Sequence, residues 1–162
     1  MAMAVLSWIL AIPLLGGMTG LRTMTPMAVL CWFAWLGNLP VSGTWAFWVA
    51  NPVTTLIFTA LALCELLGDK HPKMVDRISL GPLLARITFG GLVGALAATG
   101  LSGSAVEGTI LGAISAIAGA FLGFHLRHWM VHTQGFRDFA VALVEDAIAI
   151  GFAILALGIV TG

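Results

Sequence analysis

Two adjacent carboxylates, Glu145 and Asp146, stand in FAVALVEDAIAIGFAIL, a run that holds no other charge. An ionisable side chain inside an apolar span costs ~2.5–3.5 kcal/mol on insertion scales, so it needs a partner, a proton or a wet cavity. Both acids follow Arg137 by eight residues or more, roughly 12 Å along a helix, and short acidic side chains do not snorkel that far. A second acidic pair, Glu65 and Asp69, closes the stretch TALALCELLGDK, and a spacing of four puts both on one helix face. Arg22, Arg86 and Arg127 each lie within or beside an apolar run and are the natural partners of these acids.

With Lys70 and Asp76 from the polar segment GDKHPKMVDR, these residues make up the candidate site. The chemistry they fit is the binding of an ion or small polar solute. In that reading the acids coordinate a cation or proton, while Arg22 and Arg127 balance charge or contact an anionic group. The alternative is a set of buried salt bridges that fix helix register and meet no solute.

Three histidines, His125, His128 and His132 in FHLRHWMVH, are spaced by three and four and share a face if the helix runs that far. Such a stripe could ligate a metal or sense pH. No carboxylate or cysteine at ligand spacing completes it, so the expectation is interfacial histidines, with no metal and no cofactor. The motifs G-x-S-x-G, H-E-x-x-H and GK[ST] are absent, which argues against the common hydrolase and nucleotide-binding chemistries. Asp69, His71 and Asp76 at an interface leave open a lipid-headgroup enzyme, although their spacing fits no general template.

The elements that must position these groups are membrane helices. Of 162 residues, 60% are hydrophobic and 9% charged, with a mean hydropathy of +1.06; a soluble surface needs roughly a quarter of its residues charged. The net charge of zero leaves no basic stripe for nucleic acid. Apolar runs predict spans over about 2–18, 24–36, 45 or 52 to 67, 82–101, 106–125 and 136–160. The run from Met24 to Leu36 is short for a full crossing and reads as a tilted span or a half-helix. All seven Lys and Arg fall in alternate connections, which supports six crossings with both termini on the non-cytoplasmic side. The N-terminal run has no basic residue before it and reads as a retained span.

Small residues recur every four positions at Gly16–Gly20, Gly90–Gly94–Ala98, Gly108–Gly112–Ala116–Ala120 and Gly119–Gly123. They fit close helix packing within one bundle and a homodimer seam equally well. Cys31 and Cys64 lie in apolar runs and are expected to be buried free thiols. GGMTGLR and GAFLGFHLR both end in an Arg after a Gly-rich stretch, a weak internal similarity between halves 1–78 and 82–162 of one transmembrane domain.

Three stretches, GLRTMTPMAVL, ELLGDKHPKMVD and VEDAIAIG, together resemble the bacterial membrane proteins of the domain-of-unknown-function 4126 family. The pattern Asp69–Lys70–Pro72–Asp76 has one residue more than the family's D-K-x-P-x-x-D. The resemblance covers most of the chain and implies a small multi-span inner-membrane protein. It points to Arg22, Glu65, Asp69, Lys70, Asp76, Glu145 and Asp146, and supplies no substrate.

The expectation is therefore an all-α, homo-oligomeric transmembrane bundle acting as a transporter or channel for a small polar or ionic solute. A non-transporting accessory protein and the lipid-headgroup enzyme are the alternatives.

Overall fold

The computed structural model describes residues 2–68 and 79–161. Asp69, Lys70 and Asp76 of the candidate site lie outside them. Six α-helices occur in the order α1 Ala2–Leu21, α2 Thr25–Trp35, α3 Pro52–Gly68, α4 Leu80–Gly100, α5 Ala105–His128 and α6 Asp138–Thr161. Leu80–Gly100, Ala105–His132 and Asp138–Ile159 are each long and apolar enough to cross a bilayer. Helix α2 has 11 residues, so it rises only about 16 Å of the ~30 Å hydrocarbon thickness. It is a short helix, as the length of its apolar run implies.

The loop between α2 and α3 packs inward. Leu39, Val41, Ala46 and Val49 are buried, and a short 3-10 turn over Phe47–Ala50 leads into α3. Trp45 donates from Nε1 to the Thr99 hydroxyl at 3.1 Å, which ties the loop to the C-terminal end of α4. Next to it, the Gly103 backbone lies against the indole of Trp8 from α1. These contacts gather the start of α1, the α2–α3 loop and the α4–α5 turn at one end of the bundle. The other end collects the C-terminal ends of α1, α3 and α5 and the start of α6. The four arginines among the described residues, Arg22, Arg86, Arg127 and Arg137, all belong to that second half. The alternation of charge along the chain implies the same grouping.

Glycine sets the core spacing. A Cβ at Gly16 would come 2.6 Å from the Gly112 carbonyl oxygen, and one at Gly90 would come 2.9 Å from the same atom. Gly94 faces Gly108, and Gly119 faces Gly17. Backbone therefore rests on backbone where α5 meets α4 on one side and α1 on the other. The small-residue stripes serve packing inside this bundle.

Helix α5 carries a signal at each end. Ser104 accepts at 3.4 Å from the backbone N–H of Glu107 at the start of α5, and Arg127 and His128 sit in its last turn, where cations favour the dipole. Seven threonine hydroxyls (Thr19, Thr55, Thr59, Thr88, Thr99, Thr109 and Thr161) donate to the carbonyl four residues earlier. That bond satisfies a hydroxyl where water is scarce. Cys31 is buried as expected, whereas Cys64 is exposed. Its helix α3 buries only Thr55 and Ala62, so most positions on α3, Cys64 included, look outward.

Candidate functional site

Arg22 ends α1 and is the largest fully buried side chain, at 1% exposure. Its backbone N–H still bonds Met18, after which the chain breaks before α2 begins at Thr25. Pro26 in the first turn of α2 has no N–H to orphan, which suits a helix start. At this break Arg22 Nη2 lies 2.5 Å from Asp146 Oδ1, a charge contact whose angles fall outside hydrogen-bond geometry.

Asp146 and its neighbour Glu145 are both buried on α6. Adjacent helix positions point about 100° apart, so the two acids serve different helices. Asp146 reaches α1 through Arg22, and Glu145 accepts from Arg127 Nη1 on α5 at 3.3 Å. Arg127 also donates from Nε and Nη2 to the two oxygens of Asp138 at 2.8 and 2.9 Å, the parallel two-bond grip that guanidinium favours. Helix α6 thereby pins the ends of α1 and α5, which already touch through glycine.

Glu65 reaches the same break from α3. Its carboxylate accepts the backbone N–H groups of Thr23 at 2.7 Å and Met24 at 2.8 Å. Met24 is the cap position of α2 and supplies no capping side chain, so the acid from α3 takes that place. Arg86 on α4 is buried at 6% exposure, and it stands one turn beyond Gly90 toward the same end of the bundle.

Of the sequence-derived candidates, Arg22, Glu65 and Asp146 meet at the α1–α2 break, and Arg127 and Glu145 form a second pair beside it. Asp138, Thr23 and Thr25 belong to the assembly and are missing from the sequence-derived set. For Asp138 a signal existed, since it precedes Glu145 by seven residues and shares its helix face. The buried threonines are uncharged and carry no such mark.

The histidine stripe divides. His128 and His132 stack with ring centroids 4.2 Å apart, while His125 turns edge-on to Phe124. The Nδ1 atoms of His125 and His132 contact the carbonyl oxygens of Phe121 and His128. Among the described residues, no three His, Cys, Asp or Glu side chains are grouped as metal ligands.

A family model described as "Domain of unknown function (DUF4126)" matches residues 9–159, almost the whole chain. No curated protein and no solved structure matches the chain.

Proposed function

We propose that this chain, which belongs to the DUF4126 family, carries a small polar or ionic solute across a membrane past the joint between α1 and α2. The observation that supports this best is buried charge at the joint where α1 ends and α2 turns back along the bundle. Helix α1 stops at a buried arginine, the 11-residue α2 turns back from it, and acids from α3 and α6 close on the joint. Ionisable side chains buried inside an apolar bundle are costly and mark solute or ion pathways in membrane proteins. In this reading Arg22, Glu65, Glu145, Asp146, Arg127 and Arg86 form the site, with Asp69, Lys70 and Asp76 joining them from the polar segment after α3. The membrane is an inner membrane, and the arginine-bearing end faces the cytoplasm by the positive-inside rule.

A second reading has its own support: each deep acid meets an arginine, as a purely structural lock would require. Uptake into proteoliposomes separates the two. Transport predicts loss of uptake in Asp146→Asn and in the double variant Arg22→Met/Asp146→Leu, with both proteins still folded in detergent. Full uptake by the folded double variant would defeat the site and leave the lock.

A further inference from the structure

We propose that a crevice between α1 and α5 holds one acyl chain of a phospholipid from the leaflet at the arginine-bearing end. The inference is independent of transport and needs only that these helices cross a membrane. The crevice measures about 360 Å³, with one wall running from Pro13 to Leu21 on α1 and the other from Ser115 to Leu126 on α5. Ala118, Leu122 and Leu126 of the α5 wall are exposed, so the crevice opens away from the bundle, toward lipid.

Gly17 is the sign that this space is kept open. Gly16, Gly20 and Gly119 of the same seam have no room for a methyl group, because an added Cβ would run into the backbone of Gly112, Ala116 and Gly17. A Cβ on Gly17 would meet nothing closer than the Ser115 carbonyl oxygen at 3.9 Å. Packing therefore does not call for a glycine there, while a glycine inside a helix costs about 1 kcal/mol against alanine. Gly17 lines the crevice, and any longer side chain on it would enter that space.

Length and depth select the occupant. At ~1.5 Å per residue the two walls are about 12 and 16 Å long, and one leaflet's share of a ~30 Å hydrocarbon core is about 15 Å. Each wall stops one residue short of an arginine, Arg22 on α1 and Arg127 on α5. Trp129, exposed three residues past Leu126, stands where an indole favours the headgroup level. The crevice thus begins at the interface and ends near the midplane, the path of one chain hanging from one headgroup. A helix of a second copy, about 10 Å across, is too thick for a slot of this volume, and a stable dimer buries roughly 800 Å² per partner.

The test places the full chain in phosphatidylcholine vesicles with a trace of phosphatidylcholine that carries a diazirine near the end of one acyl chain. After illumination, peptide mass spectrometry maps the adducts. They should concentrate on the deep part of the crevice, Pro13–Gly17 and Ser115–Ala118, above the level at the exposed α3 residues Leu56 and Leu63, which report ordinary boundary lipid. Gly17→Leu should lower the crevice adducts about tenfold, equivalent to ~1.4 kcal/mol of preference over bulk lipid, and leave those on α3 unchanged. Should Gly17→Leu fail to fold, Ala118→Phe fills the crevice from its exposed wall and carries the same measurement. Adducts spread evenly over the lipid-facing helices, or crevice adducts indifferent to the filling variant, overturn the proposal. Crevice residues that cross-link to a second copy of the chain in place of lipid overturn it as well.

Discussion

Among the described residues, Arg127 gives three hydrogen bonds to two acids, and Arg22 pairs with Asp146 in a drier place. The difference predicts unequal mutational costs. Glu145→Gln leaves Arg127 its two-bond grip on Asp138 and should lower stability by about 1 kcal/mol. Asp146→Asn weakens the pair of an arginine that is 1% exposed and should cost about 3 kcal/mol. Unfolding of the purified proteins in graded SDS would check the ranking, and equal losses would contradict it. These residues were legible in the sequence because carboxylates are conspicuous against apolar neighbours. Which arginine answers which acid was not legible, since that depends on the 100° between adjacent positions on α6 and on where α1 and α5 stand. Thr25 was invisible for another reason: its peculiarity is a buried hydroxyl with no partner among the described residues, and only three-dimensional contacts reveal one.

Among the elements, α5 has the least room. Gly112 packs against Gly16 on α1 and against Gly90 and Gly94 on α4, so even one methyl group there pushes two backbones apart. Gly112→Ala should destabilise by about 1–3 kcal/mol. Gly151→Ala and Gly158→Ala on α6 meet nothing within 4 Å and should be neutral or slightly stabilising. The same SDS titration distinguishes them, and a stable Gly112→Ala protein would count against this packing. The helices themselves were readable from apolar runs, with ends within a few residues of the observed ones. Helix α2 shows where such reading stops. Its apolar run has the same composition as a crossing span, yet only 11 residues are helical and the chain after them packs inward from Leu39 to Val49.

At the scale of the molecule, the described arginines collect at one end, and the tryptophans are consistent with two membrane interfaces. Trp35 and Trp45 are exposed at the end that lacks arginine, and Trp129 at the other. Single cysteines at the exposed positions Asn38 and Gln134, placed in a chain with Cys31 and Cys64 replaced, should label from opposite faces of the membrane with an impermeant maleimide. Gln134→Cys should react from the cytoplasm only, and labelling of both from one face would break the proposed topology.

The glycine contacts also limit where a lumen can run. Where α1, α4 and α5 meet main chain to main chain there is no cross-section for even one water molecule, so that trio is a wall. A hydrated path through a single copy of this protein therefore does not run between those three backbones.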